Sequence, residues 1–237
     1  MVITDLKDLD LAFKGELTMT AAMEDLMQQF QLNRLPAEWA KKSWMTTRGL
    51  NSWLDNMKQR LDLLNLWKDE PTMINKTICF LNRLYKPNSF LTAIKQVCAQ
   101  KTGQGLNKLY IQTDIQKKFH WEPEVAQMLQ RLDDGAYVFG FQLEGAAWDK
   151  NACKMEESIP KQQFSVVPLI YCKALMIQEG KEEKGIYKCP VYMTTNRDKS
   201  YVFTAQLKTS HAPQKWVLAG AALILDVEGT SDAFYPG

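Results

Sequence analysis

The chain is poor in the residues that metal and nucleophile chemistry use. Only two of its 237 residues are histidine, His120 and His211, far apart in sequence. Neither lies in an H-x-x-x-H spacing or close to a cysteine, so no metal-ligand set is legible. The five cysteines (Cys79, Cys98, Cys153, Cys172 and Cys189) are odd in number and form no C-x-x-C. That pattern, in a chain long for a disulfide scaffold, favours reduced thiols in a cytosolic compartment. A net charge of +2 argues against a dedicated nucleic-acid surface. Long hydrophobic runs are missing too. The longest, Trp216 to Leu225, is half of the ~20 residues that span a bilayer. Asp5, Lys7, Asp8 and Asp10 interrupt any apolar core of a leader. The expectation is a soluble, cytoplasmic protein with no membrane segment. There is no internal repeat and no low-complexity linker.

Nucleotide chemistry is equally unsupported. A phosphate-cradling loop needs G-x-x-x-x-G-K-[ST] between a strand and a helix. The nearest glycines, Gly103-Gln104-Gly105, lack the lysine and the helix that should follow. No cofactor is implied.

What remains is ordinary globular material, 46% hydrophobic and 24% charged. Lys117-Lys118 and the run Lys181-Glu182-Glu183-Lys184 read as solvated faces. The first half has helical spacing. Ile3, Leu6, Leu9 and Phe13 make one segment that Gly15 ends. Thr20 caps a second, with Met23, Leu26, Met27 and Phe30 inward, and Asn33 to Pro36 breaks it. A longer helix starts near Leu50 and ends before Pro71, with Leu50, Trp53, Leu54, Met57, Leu61 and Leu64 as its inward stripe. Leu63, Leu66 and Trp67 broaden that stripe beyond what one neighbour covers. Ser89 caps a further helix with Leu91, Ile94, Val97 and Cys98 buried and Gly103 at its end. "LYIQTDI" alternates, and Trp121 to Leu132 reads as one more helix.

From Asp133-Asp134-Gly135 onward the pattern is all strand: 136–143, 164–174, 186–194, 200–208 and 215–226. Turn signals at Gly180, Gly185, Asn196-Arg197-Asp198 and Pro213 separate them. The fold class is therefore α+β. A helical segment, 1–132, precedes a small antiparallel β-barrel or sandwich, 133–237.

Chemistry, if any, has few places to reside. "YVFGFQLEGAAWD" at 137–149 begins as a strand with Tyr137, Phe139, Phe141 and Leu143 on one face. It ends in a small-residue corner with two acids, Glu144 and Asp149. Paired carboxylates occur in glycosidases. The structural reading is that Gly145, Ala146 and Ala147 admit a tightly packed segment while Trp148 folds back as a plug. Ser210 and His211 are neighbours, so their side chains diverge. Cys189 precedes Pro190 in a strand-like run and reads as a small buried apolar residue; a reactive thiol needs a cationic, partly exposed setting. Trp216, alternating with Leu218, is expected to point inward from a strand.

Several stretches then line up, in order, with one family. "LEGAAWD" at 143–149, "VVPLIYCKA" at 166–174, "YKCPVYMT" at 187–194 and "APQKWVLAGAALIL" at 212–225 resemble the C-terminal region of dynein heavy chains. "KGELTMT", "LPAEW", "LNSWLDNMKQRLDLLNLW" and "NSFLTAIKQ" resemble its helical part, and the strands are closer in wording to axonemal than to cytoplasmic dyneins. The motif positions are Glu144, Gly145, Trp148, Asp149, Cys189, Pro190, Pro213, Trp216 and Gly220. Two departures stand out. Many axonemal chains have arginine where Ala147 stands, and the turn at Asn196 to Ser200 lacks the longer basic loop of many relatives. The resemblance implies a helical segment followed by a small β-barrel, docked after the sixth AAA+ module on one face of a motor ring. It implies nucleotide sites upstream of this chain, no ATP hydrolysis by the chain itself, and a role in bracing the ring. It also implies the ring modules of the same heavy chain and other dynein subunits as partners, in the axoneme of a cilium or flagellum. The alternative from the residues alone is a free-standing cytosolic β-barrel enzyme using Cys189 or the Glu144/Asp149 pair.

Overall fold

A computed structural model describes residues 1–71, 76–177 and 184–227. Gly180 and most of the Lys181–Lys184 charge run lie outside the described residues. The chain opens with α1 (Val2–Phe13), α2 (Ala21–Gln31) and α3 (Ala37–Lys42). As expected, the Thr20 hydroxyl caps α2, accepting from the Met23 backbone N–H at 3.3 Å. The long helix α4 (Leu50–Asp69) ends two residues before Pro71.

The inward line of α4 differs from the expected stripe. Its buried residues are Leu50, Trp53, Asn56, Arg60 and Leu63, whereas Leu61 and Leu64 are about half exposed, 52% and 51%. Two polar side chains sit inward because each has partners there. Arg60 Nε donates to Asn56 Oδ1 at 2.7 Å, and Arg60 Nη2 donates to the Asn82 carbonyl. The Arg60 guanidinium also lies 3.9 Å from the Trp44 ring centroid. Of the three residues expected to broaden the stripe, Leu63 is buried, Trp67 is partly buried against the main core and Leu66 is exposed.

After the short strand β1 (Cys79–Phe80) comes α5 (Pro87–Thr102). It starts at Pro87, not behind Ser89, because proline at the first helical position needs no hydrogen-bond acceptor and has its φ preset. Gly103, at φ +67°, ends it as expected. "LYIQTDI" forms β2 (Leu109–Ile115). The helix expected over 121–132 is shorter, α6 (Glu124–Gln130), and begins just after Pro123.

The strand region is more broken than its apolar pattern suggests. The expected strand 136–143 divides into β3 (Ala136–Phe139) and β4 (Gln142–Glu144), which lie in different sheets. Gly140, at φ +101°, makes the break, and a Cβ there would meet Asn82 Oδ1 at 2.9 Å. The break also shifts the alternation by one. Val138, Phe141 and Leu143 face the main core, while Phe139 and Tyr137 join a second cluster around Val125 and Leu169. The corner itself extends into β5 (Ala147–Asp149), which pairs with β6 (Lys154–Glu156). The stretch 164–174 divides at Pro168 into β7 (Phe164–Val166) and β8 (Ile170–Met176). Next come β9 (Ile186–Tyr192) and β10 (Tyr201–Lys208). The run expected as a strand over 215–226 is instead α7 (Pro213–Leu218) followed by β11 (Ala222–Ile224). Pro213 starts that helix and Gly220 stops it, a distinction that a continuous apolar run hides.

Two main sheets result, ordered β1-β3-β8-β2 and β10-β9-β11-β4-β7. They pack as a sandwich-like α+β fold with no closed barrel among the described residues. Most pairs are antiparallel, but β1–β3 and β11–β9 are parallel. At one side the edge strands β2 and β10 meet through side chains. The Thr113 N–H donates to Gln206 Oε1 at 2.8 Å, and the Gln206 N–H donates to Thr113 Oγ1 at 2.7 Å. Helix α5 packs across β8 and β2. The main core joins Leu63, Cys79, Leu91 and Ile94 to Phe141, Leu143, Cys189 and Leu223, so it runs across residue 133. Trp39, Trp44, Leu50 and Trp53 form a separate cluster in the first third of the sequence.

Candidate functional site

Four of the motif residues, Glu144, Gly145, Trp216 and Gly220, lie around one corner of the five-stranded sheet. Strand β4 delivers Glu144, whose backbone pairs with Ala222 of β11 on one side and Phe164 of β7 on the other. Gly145 follows at φ +73°, and a Cβ there would lie 2.5 Å from the Ala219 carbonyl oxygen and 3.1 Å from Ala221 Cα. The α7–β11 connection thus passes so close that only glycine fits. Gly220, at φ +66°, turns the backbone from α7 into β11. Inside the corner Trp216 is 1% exposed, and its Nε1 donates to Thr209 Oγ1 at 2.7 Å. Trp216 is therefore inward as expected, but from a helix. Its supposed strand partner Leu218 is 88% exposed. The Tyr187 hydroxyl donates to the Ala221 carbonyl at 2.9 Å.

One residue of this corner carried no functional signal in the sequence. Arg197 stood only as part of a turn. Its Nη2 contacts Glu144 Oε2 at 2.6 Å, and its side chain is partly buried. The turn places it there through a positive φ of +52°. The adjoining Asn196 and Asp198 were the available hint, since such residues mark left-handed turns.

The arrangement does not make a catalytic centre from the two candidates named above. The Glu144 carboxylate is engaged by Arg197 and by Gln163 Nε2 at 3.4 Å. Asp149 Oδ1 accepts from the Asn151 backbone N–H at 2.7 Å, closing its own local turn. Cys189 is fully buried, and burial pushes its thiol up to about 12. Burial likewise pushes Tyr187 up to about 12, with neighbouring Cys189 adding to it. A thiol so desolvated is not a nucleophile near neutral pH. Pro190 lies on β9 opposite Thr204. Trp148 is buried in the main core, at one wall of a cavity of about 300 Å³ between β2 and β10. The acid in that cavity's lining, Asp114, is paired with Lys208 at 3.3 Å. No grouping of histidine, cysteine and acidic residues fit for a metal exists among the described residues. No helix among them is long and apolar enough to cross a membrane.

A second polar constellation was invisible in the sequence. Asp226, 0% exposed, closes the apolar run after β11. Its Oδ1 receives Arg48 Nε at 2.5 Å and its Oδ2 receives the Thr46 hydroxyl at 2.5 Å. Arg48 also donates to Ser52 Oγ at 2.8 Å and to the Val227 carbonyl at 3.4 Å. Burial pulls the nearby Arg60 guanidinium down to about 9, opposed by the charge of Asp226; it stays cationic at neutral pH.

Comparison with known proteins gives these motif positions a context. The family model for the C-terminal domain of dynein heavy chains matches residues 1–225. The flagellar outer-arm dynein beta chain of Chlamydomonas reinhardtii is 38% identical over 231 residues, 96% of this chain and 5% of the relative. The ciliary dynein beta chain of Tripneustes gratilla is 37% identical over 222 residues, 94% of this chain and 5% of the relative. Human dynein axonemal heavy chain 9 is 36% identical with the same coverage. The sequence thus spans 5% of the length of these relatives.

Proposed function

The protein belongs to the family of C-terminal domains of dynein heavy chains, and on that premise we propose that it is a non-catalytic structural and regulatory domain of an axonemal dynein motor. It braces the AAA+ ring of its own heavy chain and tunes communication between ring modules, and so tunes microtubule-based motility in a cilium or flagellum. The ring modules are its principal partners and other dynein subunits are further ones. ATP hydrolysis belongs to the rest of the motor.

One observation carries the bracing role. The helical unit turns large apolar side chains outward: Ile3 (71% exposed), Leu6, Phe13, Leu61 and Leu64. Scattered exposed leucines need no explanation, but Ile3 and Leu6 on α1 and Leu61 and Leu64 on α4 are each spaced i, i+3, which suits docking surfaces on these helices. The mechanism is then packing, a coupling free energy between ring states rather than a wire through named residues. The enzyme alternative loses its footing with Cys189 buried and Glu144 and Asp149 separately engaged.

The test is a motor carrying Leu61→Glu and Leu64→Glu. Both positions are on the surface of this domain, so its own fold should survive. Gliding velocity and microtubule-stimulated ATPase should change relative to the parent motor. Parental values for both would remove the bracing role of this face. In parallel, the isolated domain should show no saturable binding of a fluorescent ATP analogue. Micromolar affinity would contradict its non-catalytic assignment.

A further inference from the structure

The first 57 residues build a core of their own. Trp39, Trp44, Leu50 and Trp53 are buried together, with Val2, Leu26, Phe30, Leu35, Leu54 and Met57 packed around them. Trp44 and Trp53 stack at 5.3 Å, and Phe30 meets Trp39 at 5.5 Å. The indoles are tied inside the unit as well: Trp39 Nε1 donates to Asp5 Oδ2 and Trp53 Nε1 to Ser43 Oγ, each at 2.7 Å. None of these side chains belongs to the main core, which α4 first enters at Leu63.

The described contacts between this unit and the rest of the molecule are notably polar. Arg48 and Thr46 hold Asp226 from two directions. Trp44 of the unit stacks on the guanidinium of Arg60, which in turn donates to the Asn82 carbonyl. The Tyr85 hydroxyl donates to the Ser43 carbonyl at 2.9 Å. The first contact is the most consequential, because both side chains of the pair are essentially inaccessible, at 1% and 0%. Water cannot replace a lost partner there, and removing one charge of a buried pair is costly. An apolar junction would weaken gradually with each lost contact, whereas a buried ion pair fails when one charge goes.

We propose that this junction is a clasp. Residues 1–57 form a latched unit, and the Asp226 carboxylate, from the end of the last strand, holds it against the sheets. When the clasp breaks, the helical unit opens as a sub-global event while the two sheets and α5 stay folded. Proteins open in such contiguous units when one part has its own core and few shared contacts. The device gives the end of β11 control over the placement of α1 to α3, 180 residues away in sequence at the Thr46 contact.

Native-state hydrogen exchange on the whole protein tests this. Asp226→Asn keeps the shape and removes the charge. Amides of residues 21–57 should exchange roughly 100-fold faster or more, the effect of removing one charge from a buried ion pair. Those of the β9–β10 ladder should stay within about threefold of the parent. Thr46→Val removes the hydroxyl that donates to the same carboxylate and accepts from the Arg48 backbone N–H, and should shift residues 21–57 alone, by roughly tenfold. It carries the test by the same criterion if Asp226→Asn fails to fold. Equal acceleration across both regions would show one cooperative unit and overturn the clasp. Unchanged exchange at 21–57 would overturn it too.

Discussion

Gly145 and Gly103 form a matched pair that isolates the close approach at the corner. Both occupy the left-handed region, at φ +73° and φ +67°. A Cβ on Gly103 would meet nothing within 4 Å, whereas one on Gly145 would sit 2.5 Å from the Ala219 carbonyl oxygen. Alanine at either site carries the left-handed penalty of about 1–2 kcal/mol, offset by about 0.4–1 kcal/mol of lost freedom in the unfolded state. Gly103→Ala should therefore cost roughly 1 kcal/mol or less. Gly145→Ala must also open a contact that falls about 1 Å short of an ordinary ~3.5 Å separation. The obstacle is backbone, and the shift would press on Ala221 and the Ala222–Glu144 pairing beside it. Overpacking of this kind adds about 1–3 kcal/mol, so Gly145→Ala should cost about 1–4 kcal/mol in all. Urea unfolding of parent and both variants, with midpoints compared at constant m, measures the difference. Losses equal to within about 0.5 kcal/mol would mean that Gly145 is needed only for its φ. The packed corner would then be an incorrect account of the motif.

Three further outcomes follow from the same geometry. Trp216→Ala should lose about 3–5 kcal/mol and Trp216→Phe about 1 kcal/mol for the bond to Thr209; an unchanged denaturation midpoint for the alanine variant would contradict its buried position. His120 is pushed down to about 4, by burial first and then by the Arg83 charge, so between pH 6.5 and 4 the unfolded state takes up a proton that the folded state refuses. Stability should fall by roughly 1–2 kcal/mol across that window on acidification, after allowance for solvent screening, and His120→Phe should flatten it; parallel pH profiles for parent and variant would refute the assignment. Under native conditions at pH 8 an aromatic disulfide reagent should label half-buried Cys153 ahead of Cys189, and rapid labelling mapped to Cys189 would overturn its core role.

What the sequence made legible was local. The Thr20 cap, the Gly103 stop and the alternation of "LYIQTDI" each lie within a few residues of their cause, and each appears in the structure. The errors occurred where one residue switches the environment of its neighbours. Gly140 moves the backbone from one sheet to the other, so an alternation that looks continuous in sequence is out of phase across it. Pro213 and Gly220 confine a six-residue helix inside an apolar run that reads equally well as a strand. At the corner, Glu144 and Gly145 were singled out, but Arg197 was not. Its pairing spans 53 residues and depends on a turn conformation that composition only hints at.

The line of α4 shows why the second polar constellation was hidden. Amphipathic reasoning assigns inward positions to apolar residues, which puts Leu61 and Leu64 inside and passes over Asn56 and Arg60. The structure reverses this because α4 belongs to two cores: Leu50 and Trp53 serve the first, Leu63 the second, and Asn56 and Arg60 occupy the junction. Apolar side chains at those two positions would let the clusters merge in more than one register. A guanidinium that must reach the Asn82 carbonyl while stacking on Trp44 accepts few arrangements. Asp226 imposes the same demand from the opposite end of the sequence, where an acid closing the run "ALILD" reads as an exit to solvent yet is wholly enclosed. Buried polar groups restrict alternatives because a mispaired state leaves them unsatisfied. Those groups, Asn56, Arg60 and Asp226, are residues that hydrophobic periodicity cannot reveal.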